Sequence, residues 1–123
     1  MRNGLILLGV LVVVIGGWLA FGQAPREGDP RRDTGEDGIV MLAADWCGYC
    51  RRQQAEFKQA GVEYVAIDVD TFEGQRAMQA LGAHGVPVTV IGQNVVRGYD
   101  TVRLQRHLSP LGYDVYRAPH EDI

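Results

Sequence analysis

The chain has 123 residues and a mass of 13.5 kDa, enough for one domain. Apolar residues make up 46% and charged residues 22%, which excludes a disordered chain, a collagen-like repeat or a coiled coil as the whole molecule. Twelve Lys and Arg against fifteen Asp and Glu give a net charge of −3, so no global field favours nucleic acid, and two cysteines cannot frame a disulfide-stapled fold.

Residues 5–21 run without a charged or strongly polar side chain. As a helix they would reach about 25 Å, the short end of a bilayer span. Trp18 and Phe21 suit an interfacial belt near its end. The run is longer than the roughly 7–15 residues of a signal-peptide core, and Pro25 would follow the cleavage site Gly22-Gln23-Ala24. Residues 1–21 therefore read as one N-terminal transmembrane helix, an anchor or uncleaved signal sequence, with a cleaved signal peptide or a buried helix as alternatives. Arg2 before the span and Arg26, Arg31 and Arg32 after it leave the orientation of this single-pass arrangement open, with a lean toward the non-cytoplasmic side. Residues 22–37 hold Gly, Pro and charged residues with no apolar period, a flexible linker with a span of roughly 20–25 Å.

Residues 38–110 alternate strand and helix signals. The apolar run 39–43 after Gly38 is a strand buried on both faces, with Met41 in the core. Residues 47–60 read as a helix, with Cys50, Gln54 and Phe57 on one face and Gly61 as its stop. Residues 62–69 alternate into a second strand. Asp70 is placed to cap a helix over 71–81, with Glu73 as capping-box partner, Phe72, Ala77, Ala80 and Leu81 facing inward, and Gly82 ending it. A strand at 88–91, a turn at 92–94 and a strand at 95–97 follow. Asp100 or Thr101 caps a last helix to Leu108, with Leu104 and Leu108 stacked, and Pro110 stops it. The order β-α-β-α-β-β-α gives an α/β fold with a central four-stranded mixed sheet flanked by helices. The first strands are parallel and the last two form an antiparallel hairpin. Residues 111–123 form a loose polar tail, from which Tyr113 and Tyr116 can pack back.

The chemistry sits at Trp46-Cys47-Gly48-Tyr49-Cys50, where the first strand meets the first helix. Unpaired N–H groups at a helix start favour thiolate over thiol, which makes Cys47 the candidate nucleophile. Cys50, one turn on, can resolve a mixed disulfide. Gly48 keeps the approach to Cys47 open, and Arg51 and Arg52 add positive charge or are simply solvated. A structural disulfide closing so short a loop gains little. Zinc needs about four ligands, and His84, His107 and His120 fit no finger spacing, so no metal site is expected; His84 reads as a loop histidine without a role, with a place near the site as the alternative. Haem attachment needs His where Arg51 stands. Trp46 and Tyr49 read as exposed aromatics that pack on a substrate, with structural packing as the alternative.

Residues 39–108 resemble a dithiol glutaredoxin of the thioredoxin superfamily. The matching pieces are Trp46-Cys47-Gly48-Tyr49-Cys50, Gly61-Val62 with Ile67-Asp68-Val69, Gly85-Val86-Pro87 and Gly98-Tyr99-Asp100. The resemblance implies a thioredoxin-like fold over 38–110, with Pro87 cis and facing the cysteines. It implies that the Val86 backbone pairs with an extended peptide or glutathione as an added strand. It also implies that the Gly98, Tyr99 and Asp100 loop holds the γ-glutamyl end of glutathione; the alternative is that Asp100 only caps a helix. Asp45 stands where the family usually has a basic residue, Gly85 replaces a Thr, and Gly98-Tyr99 replaces a Gly-Gly or Gly-Cys pair, as in thioredoxin-driven relatives. The implied function is a membrane-tethered thiol–disulfide oxidoreductase with Cys47 as nucleophile and Cys50 as resolving cysteine. It requires no cofactor and has glutathione as a candidate co-substrate. Its partners are disulfide-containing proteins or glutathione, a thioredoxin- or glutathione-type reductant, and the membrane through residues 5–21. An iron–sulfur cluster carrier, permitted by Gly48, and a tethered domain that only binds a partner are the alternatives.

Overall fold

The computed structural model describes residues 27–116. In chain order it has a short helix α1 (Arg31–Thr34), strand β1 (Ile39–Ala43), helix α2 (Gly48–Gln59), strand β2 (Val65–Asp68), helix α3 (Phe72–Leu81), strands β3 (Val88–Ile91) and β4 (Asn94–Arg97), helix α4 (Thr101–Leu108) and a 3₁₀ turn over Ser109–Leu111. The strands form one four-stranded sheet in the order β2-β1-β3-β4. β1 runs parallel to β2 and antiparallel to β3, with Leu42 opposite both Ile67 and Val88, and β3 and β4 form an antiparallel hairpin. This is the mixed sheet that the element order predicts. β1 and β3 are buried along their whole length because both lie in the middle of the sheet and are covered on both faces. One apolar cluster joins the sheet to α3 and both cysteines; a second joins Phe57, Leu104 and Leu108.

Helix boundaries follow from local chemistry. Cys47 is extended, with φ −91° and ψ 111°, so α2 begins after it. Gly61, with φ +72°, ends α2 in a Schellman turn: its N–H bonds the Lys58 carbonyl and the Val62 N–H bonds the Phe57 carbonyl. That turn uses Val62, so β2 starts at Val65, later than the expected residue 62. The buried face of α2 is Cys50, Gln53 and Phe57, with Gln53 taking the place expected for Gln54.

The cap of α3 is Thr71, one residue later than expected. Its hydroxyl accepts the Gly74 N–H and donates to the Asp68 carbonyl, while the Asp70 carboxylate is drawn away to Trp46. The helix therefore buries Gly74, Ala77 and Leu81. Phe72 is 79% exposed, with the Arg76 guanidinium over its ring. A Cβ at Gly74 would overlap the Asp68 carbonyl and Val69 Cα, so α3 seats directly on the end of β2.

Two expected flexible regions are docked where they are described. Within the predicted linker, Asp29 is buried and takes the Arg31 backbone N–H and guanidinium. That guanidinium holds the Asp29 carboxyl below the usual carboxylate range. The Thr34 hydroxyl donates to the Gly92 carbonyl, and the Gln93 amide donates to the Arg31 and Gly35 carbonyls. The polar composition that reads as solvated instead satisfies backbone groups at the β3–β4 turn. The predicted tail is held by Gln105 of α4, which accepts the N–H groups of Val115 and Tyr116 and donates to the Tyr113 carbonyl. The expected span at 5–21, the linker up to residue 26 and the tail beyond 116 lie outside the described residues. Among those described, no helix is long and apolar enough to cross a membrane.

Candidate active site at Cys47

β1 delivers the chain to the cysteines at its C-terminal end. The Cys47 N–H bonds the Ala44 carbonyl at 3.1 Å, which turns the chain into α2. The Sγ of Cys47 then accepts the N–H of Cys50 at 3.1 Å, so the sulfur itself caps the helix. Cys47 and Cys50 are joined as a disulfide, with Cα atoms 5.2 Å apart. Both cysteines are buried, Cys47 at 7% and Cys50 at 0% exposure, so Cys47 is the less enclosed of the two. No atom lies within 4 Å of where a Gly48 Cβ would stand, and the approach over this residue is open.

The loop before β3 faces this sulfur. The Val86–Pro87 bond is cis, and the Val86 carbonyl oxygen lies 3.8 Å from Cys47 Sγ. Among the described residues, no backbone group pairs with the Val86 N–H or C=O. Pro87 is buried, and its carbonyl accepts the Gly98 N–H at 2.8 Å, tying the β4–α4 turn to the loop.

Two aromatic flanks border Cys47. On one, Trp46 is 66% exposed and its indole N–H donates to Asp70 at 3.0 Å. Trp46 and Asp70 line a groove of about 540 Å³ that continues along Val69, Gln75, Met78 and His84 to Val86. On the other, Tyr49 stacks on Tyr99 with ring centroids 5.5 Å apart. The Tyr99 hydroxyl donates to Glu56, Arg52 lies over its ring, and Tyr116 meets it edge-on. Burial pushes the Tyr99 hydroxyl pKa up, and the Glu56 contact adds to the shift. Burial raises Tyr116 as well, with Glu56 contributing.

The expected site residues thus divide. Cys50 and Val86 approach the Cys47 sulfur, Trp46 and Pro87 stand next to Cys47 and Val86 in the chain, and Gly98 is tied to Pro87. Tyr99 faces Tyr49 and Glu56. Asp100 caps α4, accepting the Arg103 N–H at 3.0 Å. His84 lines the groove, the alternative to a loop residue without a role. Asp70 under Trp46, and Gln53 bonded to Thr89, are not foreseen from the sequence. The signal for Gln53 is a polar residue one turn past Cys50 on an otherwise apolar face. Among the described residues, no group of three or more His, Cys, Asp or Glu could hold a metal ion.

Comparison with known proteins agrees with this geometry. The glutaredoxin family model matches residues 39–96. Glutaredoxin-C5, chloroplastic, of Arabidopsis thaliana is 31% identical over 94 residues, covering 71% of this chain and 53% of the relative. The chain therefore spans about half the length of that curated relative. The buckwheat glutaredoxin–glutathione complex is 28% identical at a TM-score of 0.52, covering 66% of this chain and 78% of that one. A glutaredoxin from Archaeoglobus fulgidus is 25% identical at a TM-score of 0.54, covering 69% of this chain and 98% of that one. A mixed sheet with a disulfide at the β1–α2 junction and a cis proline in the loop before β3 agrees with the sequence match: over residues 39–96 the chain is similar to glutaredoxins.

Proposed function

We propose that this domain catalyses thiol–disulfide exchange, with Cys47 as nucleophile and Cys50 as resolving cysteine. The single observation that carries the reading is the placement of the Cys47 sulfur. It caps α2, accepts the Cys50 N–H, and belongs to the less buried residue of the pair. A helix N-terminus with an N–H aimed at sulfur stabilises negative charge there, and thiolate is the attacking form.

In the reducing direction, the Cys47 thiolate attacks one sulfur of a substrate disulfide and the other leaves as a thiol. Cys50 then attacks Cys47, closing the disulfide and releasing the second substrate thiol. An external dithiol or glutathione reopens the pair. The reverse sequence oxidises substrate thiols. The Val86 N–H, which no backbone group among the described residues accepts, and the groove beside Trp46 support an extended substrate laid against the cis-proline loop. Disulfide-containing proteins and glutathione both present such a backbone, and the relative solved with glutathione supports the latter as co-substrate. Residues 5–21 would tether this activity to a membrane.

Cys47→Ser is expected to reduce turnover of a model disulfide to background. Cys50→Ser is expected to accumulate a mixed disulfide on Cys47, visible by mass spectrometry. Turnover persisting in Cys47→Ser would remove the assignment.

A further inference from the structure

Gln53 lies one turn beyond Cys50 on the same buried face of α2, and both residues are 0% exposed. Its Nε2 donates to Thr89 Oγ1 at 2.7 Å, bridging to β3 two residues past Pro87. Its Oε1 is buried and has no hydrogen-bond partner among the described residues. An unsatisfied buried carbonyl costs about 1–3 kcal/mol, and folded proteins hold few of them. The amide is fixed at one end and unsatisfied at the other, on the helix face that carries half of a disulfide. Reduction of that disulfide supplies the missing donor, because Cys50 gains an S–H in a place closed to solvent. We propose that Gln53 is a positioning residue of the redox site, whose side-chain carbonyl accepts a hydrogen bond from the Cys50 thiol in the dithiol state.

The inference rests on the redox reading of Cys47 and Cys50. In the release step the Cys50 sulfur bonds to Cys47 Sγ, and the bond between Cys47 and the substrate sulfur breaks. The proton of Cys50 passes to the departing substrate thiolate, and the electron pair leaves with that sulfur. Gln53 stays neutral throughout. It keeps the proton on Cys50, and the sulfur on the inner face, until Cys47 has captured a substrate. Its carbonyl is satisfied only in the dithiol, so it favours the reduced pair. Removing it relieves the oxidised form and deprives the reduced form, and both effects act in the same direction.

Two measurements test this. In the Cys47→Ser protein, Cys50 is the only thiol. Its infrared S–H stretch is expected at lower frequency than that of an unbonded thiol, and adding Gln53→Met should raise it. A band at the unbonded position while Gln53 is present overturns the proposal, even if the Gln53→Met protein does not fold. A band that Gln53→Met leaves unmoved overturns it too. In the protein with both cysteines, equilibrated against a dithiothreitol redox buffer, Gln53→Met is expected to shift the disulfide-to-dithiol ratio about tenfold toward disulfide, about 30 mV for a two-electron couple. No shift, or a shift toward dithiol, overturns it. Loss of turnover in Cys47→Ser together with an unbonded S–H band would sink this inference alone. Turnover surviving in Cys47→Ser would sink the redox reading instead.

Discussion

The two flanks of Cys47 carry aromatic side chains of almost equal exposure, 66% at Trp46 and 62% at Tyr49, and use them differently. Trp46 anchors only its indole N–H, to Asp70, and leaves its ring along an open groove. Tyr49 lies on Tyr99, which Glu56 and Tyr116 hold from the far side. The first flank has a free surface and one fixed atom; the second is the outer layer of a packed cluster. Equal exposure thus hides a difference in what lies behind each ring.

The largest effect that would break this contrast is on stability. Tyr99→Ala removes the ring between Tyr49 and Tyr116 and is expected to cost roughly 2–4 kcal/mol in urea unfolding. Its exchange activity under native conditions should stay near that of the unmodified protein. A stable Tyr99→Ala protein with lost activity would move Tyr99 to the substrate side. Next in size, Trp46→Ala should leave the melting temperature unchanged. It should lower kcat/KM for a peptide disulfide about tenfold, the equivalent of roughly 1.4 kcal/mol. An unfolding shift with intact kcat/KM would reverse the assignment of the two flanks.

The smallest effect concerns a region remote from both. The Asp29 carboxyl is held below its ordinary value of 3.8 by Arg31. Its contribution is therefore complete above that value and fades as pH falls through the lower folded value. With Arg31 partly solvated, it should amount to no more than about 1 kcal/mol. Amide exchange over residues 31–35 is expected to accelerate below pH 3.8 while β1 and β3 remain protected. Loss of exchange activity in step with it would show that the docked segment and the cysteine loop are coupled.

The parts legible in the sequence are those written locally. The β-branched and apolar runs of β1 and β3, the stop at Gly61 and the cap at Asp100 all rest on neighbours within a few positions. The cysteine pair is legible for the same reason. What escaped depends on partners far along the chain: Trp46 and Asp70 are 24 residues apart, Tyr99 and Glu56 are 43, and Thr34 and Gly92 are 58. Asp70 is a plausible cap by composition, and only the fold shows that an indole takes its carboxylate. The segment around Asp29 is polar enough to read as solvated, because nothing local shows that a turn more than 50 residues later will take up its hydrogen bonds.

Gly74 gives the groove a hidden adjustment. With no side chain between α3 and the end of β2, the helix bearing Gln75 and Met78 rests as low as backbone contact allows. A single methyl group there acts as a shim. It would meet the Asp68 carbonyl and Val69 Cα, so α3, and the groove wall it carries, could accommodate it only by moving off the end of β2.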